Sequence, residues 1–239
     1  MGALTQDGAM IAVIADEATV QRAIAAYADR VAIAAVNGPT NLVISGQRDA
    51  VNTVIATLTA EADGDGAIQN RAQGAPAKIK NLTVSHAFHS PLMEPMLDEF
   101  RQVAESITYH SPKRRLIANL TGKLADAEVT TPAYWVRHVR EAVRFADGVA
   151  TLLAQGVDTF LEIGPKPTLL GMVESVVTRH SSFVIGHSSA VSPQTANDVG
   201  QGTKDSALVI LPSLRENHPD WQQMLASLGE LYVRGVAVA

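Results

Sequence analysis

Val31-Ala32-Ile33-Ala34-Ala35-Val36-Asn37-Gly38-Pro39 is followed almost at once by Leu42-Val43-Ile44-Ser45-Gly46. Two short apolar runs flank Asn-Gly-Pro, a strong turn signal, and the close spacing reads as an antiparallel hairpin. Upstream, Gly8 to Ala15 is another apolar run that stops before Asp16 and reads as a buried strand. Val20, Ile24 and Tyr27 recur at i, i+4 and i+7, so they share one helix face. Downstream, Val51, Val54, Ile55 and Leu58 mark a second helix face. Ile79 to Val84, alternating with Lys80 and Thr83, reads as a fourth strand. The order β-α-β-β-α-β is that of the split βαβ, ferredoxin-like unit. Glu61 to Ala77, rich in Gly, Asp, Ala and Gln, reads as an extended loop inside it.

A long helix is predicted from Ser90, which suits the N-cap, with Pro91 at the first helical position. Leu92, Met96, Phe100, Val103 and Ile107 supply its apolar face. Leu116–Leu120 and Thr159–Ile163 read as strands, and 134–139, 143–153 and 168–177 as helices. Residues 114–178 are therefore expected to be α/β with a parallel sheet. Residues 179–206 lose periodicity and read as a linker. Trp221, Met224, Leu225, Leu228 and Tyr232 fall at helical spacing, on an amphipathic helix that needs a surface to lie on.

Composition narrows the function. The 239 residues are 46% hydrophobic and 18% charged, against roughly 25% charged in an average globular chain. A chain-wide disordered character is excluded. The formal net charge of −5 disfavours general nucleic-acid binding, which needs a basic footprint. Cysteine is absent, so there is no disulfide, thiol nucleophile or thiolate metal site. No apolar run is long enough to span a membrane. The N-terminal residues lack signal-peptide regions, and Gln6 stands where a myristoylation motif wants Ser or Thr. A cytoplasmic protein off the membrane is expected.

The densest chemistry is Val84-Ser85-His86-Ala87-Phe88-His89-Ser90-Pro91-Leu92-Met93. Two histidines stand at the junction of a strand end and a helix start. His89 directly precedes the N-cap, where the positive helix end disfavours imidazolium. A neutral imidazole there suits a general base for a hydroxyl nucleophile. The same spacing also suits two histidines that merely satisfy a corner. No other histidine is paired in spacing, so no metal site is expected. Arg137, Arg140 and Arg144 are either a solvated face or a surface for an acidic partner.

This stretch resembles the histidine motif of the malonyl-CoA:acyl carrier protein transacylase family, and more narrowly the acyltransferase domains of modular type I polyketide synthases. The hairpin stretch quoted above resembles the family's small subdomain. Tyr134-Trp135-Val136-Arg137 through Val143-Arg144-Phe145, and Leu161-Glu162-Ile163-Gly164-Pro165, resemble its large subdomain. Leu211-Pro212-Ser213-Leu214-Arg215, Asp220-Trp221 and Leu231-Tyr232-Val233-Arg234-Gly235 resemble the linker that follows it. The resemblance implies an α/β fold with an α+β small subdomain. A ferredoxin-like subdomain over 7–85 would precede the C-terminal part of an α/β-hydrolase-like large subdomain over 86–178. A linker with a C-terminal helix would follow over 179–239. It makes His89 the catalytic base and His86-Ala87-Phe88-His89 the extender-selecting tetrapeptide, in a form that goes with malonyl units. It also implies a backbone carbonyl near Gly164-Pro165 behind the histidine. Asn37 is either a pocket-edge residue or a turn residue. No bound cofactor is implied. The substrates are malonyl-CoA and the phosphopantetheine of an acyl carrier protein, and the partners are that carrier, the ketosynthase and the other synthase domains.

The family's serine elbow G-H-S-x-G, its oxyanion glutamine and its carboxylate-binding arginine precede the small subdomain and are not found in these residues. Gly186-His187-Ser188-Ser189-Ala190 comes near the elbow but lacks its second glycine, so Ser188 is not expected to be the nucleophile. Two functions follow as expectations. In one, the chain is the histidine half of a malonyl-selective transferase whose N-terminal acyltransferase segment, with the serine, lies elsewhere. In the other, it is a non-catalytic docking or structural module of a megasynthase. Residues 8–85 are expected to be the better-ordered unit, and 114–178 to depend on a partner, self-associate or be covered by the tail.

Overall fold

The structure, a computed structural model, describes residues 4–63, 79–178, 185–186 and 208–237. The chain divides into two compact units, Met1–Thr151 and Leu152–Ala239. The first opens with β1 (Gly8–Ile14), α1 (Glu17–Ile24), β2 (Val31–Gly38), β3 (Asn41–Gln47), α2 (Arg48–Asp63) and β4 (Lys80–Asn81). These strands form one sheet in the order β2-β3-β1-β4, with every neighbouring pair antiparallel. That is the ferredoxin-like topology expected from the sequence. Alternation puts Ile11 and Val13, Val31 and Ile33, and Leu42 and Ile44 on one face, where they meet Val20 and Ile24 of α1 and Val51, Val54 and Leu58 of α2. At Gly46, paired with Val31, an added Cβ would stand 2.1 Å from the Arg30 carbonyl oxygen, so only glycine lets β2 come this close.

β4 is shorter than the expected 79–84. Its ladder covers Lys80 and Asn81, and Leu82 N–H still donates to the Met10 carbonyl at 2.9 Å. Beyond it the chain leaves the sheet to lay Ala87 on Gly8, and Val84 faces solvent. The loop expected over 61–77 lies outside the described residues from 64 onward, and 61–63 close α2.

The predicted long helix from Ser90 is broken in two. Pro91–Met96 is a 3-10 helix and α3 (Leu97–Glu105) follows it. Pro95 has no N–H with which to continue an α-helical ladder, and the first turns wind as a 3-10 helix instead. The change of winding rotates the buried face. Met93 and Ala104 are buried, whereas Val103 and Ile107 are exposed. Next come β5 (Ile117–Ala118) and β6 (Lys123–Leu124), an antiparallel hairpin turned by Gly122 at φ 64°. The expectation that Leu116–Leu120 joins a parallel sheet is thereby corrected, because the turn after Leu120 folds the run onto its own sequence neighbour. α4 (Pro132–Arg140) is capped by Thr131, and α5 (Phe145–Ala154) follows. Between them Val143 is bridged to β2: its N–H donates to the Ala34 carbonyl and its carbonyl accepts from Val36 N–H, both at 2.9 Å.

The second unit holds β7 (Thr159–Glu162), α6 (Leu170–Val177), β8 (Ile185–Gly186), β9 (Leu208–Pro212) and α7 (Asp220–Val233). Its three strands among the described residues are parallel, in the order β7-β9-β8. The parallel sheet expected from the sequence is found here, but its central strand is β9, at the edge of the stretch read as a linker. Leu208-Val209-Ile210-Leu211 is the continuous apolar run typical of a strand covered on both faces. The Glu162 carboxylate accepts N–H groups of Thr168, Leu169 and Leu170 and so caps α6. Ser227 Oγ–H donates to the Pro212 carbonyl at 2.8 Å and docks α7 on the end of β9. Ser188 lies outside the described residues. No helix among the described residues is long and apolar enough to cross a membrane.

Candidate active site

The site is built on the corner between β4 and the 3-10 helix. Phe88 N–H donates to the His86 carbonyl at 3.1 Å, which makes a tight turn about Ala87. Ala87 is 1% exposed. It sits so close to β1 that a Cβ on Gly8 would stand 2.6 Å from its own Cβ. The sheet therefore fixes where the tetrapeptide lies. His89 then adopts a left-handed backbone, φ 56°, which costs a non-glycine residue on the order of 1 kcal/mol. The reversal lets Ser90 cap the 3-10 helix. Its Oγ–H donates to the Ala87 carbonyl at 2.6 Å while Oγ accepts Leu92 N–H at 3.2 Å, and the side chain is fully buried.

The reversal also turns the His89 ring toward α4. Its Nδ1–H donates to the Glu141 carbonyl at 2.8 Å. That carbonyl takes the place of the one expected near Gly164-Pro165. Glu141 is the C-cap of α4, extended at ψ 163°, and its own N–H donates to Arg137 O at 2.8 Å. With the proton on Nδ1, Nε2 carries the lone pair, as a base for a hydroxyl or thiol requires. Burial pushes the His89 pKa below its ordinary value, partly offset by hydrogen bonds to the Glu141 and His138 carbonyls. The outcome matches the neutral ring expected from the sequence, but the cause is desolvation, and the helix that follows is 3-10 at its start.

His138 is the residue that sequence reading passed over. Its ring centroid is 6.0 Å from that of His89, with the planes at 83°. The signal lay in Tyr134-Trp135-Val136-Arg137-His138, where Tyr134 and His138 are four apart and stack at 5.9 Å. His86 meets Phe88 edge-on at 6.2 Å, and its Nε2 is buried with no hydrogen-bond partner among the described residues. Asn37 is the extra residue of a bulge between Val36 and Gly38, and among the described residues no hydrogen bond joins it to 86–89.

The three arginines are neither bare nor unpartnered. Arg137 pairs with Glu141 and Glu128, Arg140 with Glu94 at 3.0 Å, and Arg144 with Glu17 and Asp147, both at 2.6 Å. They tie α4 and α5 to their neighbours.

Residues 1–238 match the family model for the acyl transferase domain. The chain is 38% identical over 239 residues to polyketide synthase GfsA of Streptomyces halstedii, covering all of this chain and 3% of that protein. It is 47% identical over 174 residues to the mycoketide-CoA synthase of Mycobacterium tuberculosis, covering 73% of this chain and 4% of that one. The acyltransferase domain from the second module of the salinomycin polyketide synthase superposes with TM-score 0.77 at 39% identity, over 99% of this chain and 46% of that one. A malonyl-transacylase solved in complex with its type II polyketide synthase acyl-carrier protein superposes with TM-score 0.61 at 28% identity, over 72% of this chain and 53% of that one. The chain thus spans about half of the solved relatives and a small fraction of the curated synthases. It belongs to the acyl transferase domain family, among the acyltransferase domains of polyketide synthases.

Proposed function

We propose that this chain supplies the catalytic base and the extender pocket of an acyltransferase that takes malonyl from malonyl-CoA and loads an acyl carrier protein. One observation carries the reading: His89 is half-buried, its pKa is held below the ordinary value by desolvation, and it is tied through Nδ1–H to the Glu141 carbonyl, which leaves Nε2 as the base. The reaction has two halves. A serine hydroxyl supplied from outside these residues attacks the malonyl thioester while His89 Nε2 takes its proton. The tetrahedral adduct collapses, the C–S bond breaks, and His89 returns the proton to the CoA sulfur. In the second half the carrier's phosphopantetheine thiol gives its proton to His89 and attacks the acyl-serine ester. The serine leaves with that proton restored. Neither half calls for a metal or a bound cofactor.

His86, Ala87 and Phe88 are proposed to line the extender pocket, with Asn37 at its edge. Phe88 beside the acyl α-carbon leaves little room for a methyl branch. The segments 7–85, 86–178 and 179–239 are the proposed small subdomain, large-subdomain portion and following linker. The carrier as partner is supported by the malonyl-transacylase solved with its acyl-carrier protein. Ketosynthase and other synthase domains are proposed as further neighbours from the polyketide synthase relatives.

The test is malonyl loading of a carrier protein, read by intact-protein mass spectrometry. This chain alone should load nothing, and a malonyl ester on Ser188 would overturn that. Joined to a serine-elbow segment of the family, it should load malonyl, and His89→Ala should slow loading ~10²–10⁴-fold. Phe88→Ala should move the malonyl over methylmalonyl preference down by ~10–200-fold. Transfer that survives His89→Ala defeats the reading. Failure of every serine-bearing segment to restore transfer leaves the docking module in its place.

A further inference from the structure

His138 sits between the aromatic face of α4 and the proposed base. One side of its ring stacks on Tyr134, with centroids 5.9 Å apart and planes 14° apart. Trp135 meets it edge-on at 6.1 Å, and Trp135 Nε1–H is itself anchored on the Val129 carbonyl at 3.1 Å. The orientation of the His138 ring is thus determined by two neighbours that belong to the same unit as the site. Toward His89 it stands at 83°, centroid to centroid 6.0 Å. This packing restrains something the Glu141 hydrogen bond leaves open. Backbone carbonyls engage the ring only through its nitrogens, and the plane can still swing about such contacts. A ring packed at right angles removes the swing.

We propose that His138 is a positioning residue for His89: its stacked ring, with the Glu141 carbonyl, holds the His89 imidazole in one plane and one tautomer. The inference rests on the reading of His89 as the base, and it deepens that reading by naming the group that aims it. Two clamps support it from α4. Arg140 pairs with Glu94 at 3.0 Å across to the 3-10 helix, and the Arg137 guanidinium grips the Glu141 carboxylate at 2.8 and 3.1 Å. The charged groups on the elements around His138 are His89, Glu94, Arg137, Arg140 and Glu141, with Glu128 on the turn before α4. Facing α4, α3 carries Asp98, Glu99, Arg101 and Glu105. Arg137 and Arg140 on α4 are already paired, so His138 meets His89 through its backbone carbonyl and its ring, and the ring is the part a side-chain substitution removes. Burial keeps His138 below the ordinary histidine pKa, and the nearby His89 adds to this. Two imidazoles this close favour a state in which His138 is neutral when His89 takes a proton.

The experiment is imidazole ¹⁵N–¹H NMR on the full chain, with wild type compared to His138→Ala and His138→Phe. The wild type should show His89 as a single Nδ1–H tautomer with a titration below the ordinary value. His138→Ala should mix the tautomers and move the titration upward, and His138→Phe should restore the wild-type pattern because ring shape is what positions. A backbone amide spectrum unchanged away from α4 and the corner separates this from unfolding. An unaltered His89 signal in His138→Ala overturns the proposal, as does a Phe variant that behaves like Ala. This readout needs no transfer activity, so it stands apart from the loading assay: a failed assay with the expected NMR shift overturns the base and leaves the positioning.

Discussion

A histidine at φ 56° has to be held there, and the contacts that hold His89 are the Ser90 cap behind it, the Glu141 and His138 carbonyls and the His138 ring. Burying two imidazoles has a consequence for stability. Both have pKa values below 6.5 in the fold, with desolvation the main cause. In the unfolded chain they titrate near the ordinary value. Between the folded and unfolded values the unfolded chain holds more protons, so stability rises with pH across that window. The contribution is fully present above about 6.5 and is lost as pH falls through the folded values. Urea unfolding midpoints measured from pH 8 to pH 5 should therefore drop below pH 6.5. The double variant His89→Phe, His138→Phe should flatten that drop. An equal slope in both proteins would show that other groups cause it.

Among the elements, α1 offers a separate acid-sensitive feature. The Asp16 carboxylate accepts Thr19 N–H at 2.9 Å and Thr19 Oγ1–H at 2.8 Å, and these bonds lower its pKa below the ordinary 3.8. Asp16→Ala should destabilise the first unit by about 1 kcal/mol at neutral pH. Asp16→Asn should keep most of the cap and remove its loss below pH 3.8, as thermal melts at pH 7 and pH 3 would show. The hairpin around Asn37-Gly38 was open to view in the sequence, because it is decided within a few residues. So was the corner His86–His89, a contiguous stretch. The partners of His89 were not. Glu141 and His138 come from α4, some fifty residues on, and no spacing rule connects them. The break at Pro95 was legible in principle, since proline removes a donor, but the apolar period over 92–107 outweighed it. The strand β9 was missed for another reason. Its apolar run Leu208–Leu211 follows a polar stretch, and its partners β7 and β8 lie far back in the chain.

For the molecule as a whole, the two units differ in how completely they cover their apolar residues. In the first, the four-stranded antiparallel sheet and two helices enclose a core whose members Val20, Leu42, Ile44, Val51 and Val54 are fully buried, and Ala118, Leu120, Val129 and Tyr134 form a second cluster. Among the described residues the second has a three-stranded parallel sheet, an arrangement that normally requires cover on both faces. Leu161 on β7 is 41% exposed and Ile163 just beyond it 78%, while α7 shows Trp221 at 74% and Tyr232 at 70%. Apolar surface of this kind associates in water. Hydrogen exchange should therefore be slowest in the β1–β3 ladder and faster in β7, where Leu161 is already exposed. Sedimentation should show association that strengthens with concentration and weakens when Trp221→Ser and Tyr232→Ser remove the α7 aromatics. A dilute monomer with β7 and β9 protected as strongly as β1–β3 would mean that the second unit stands without a partner.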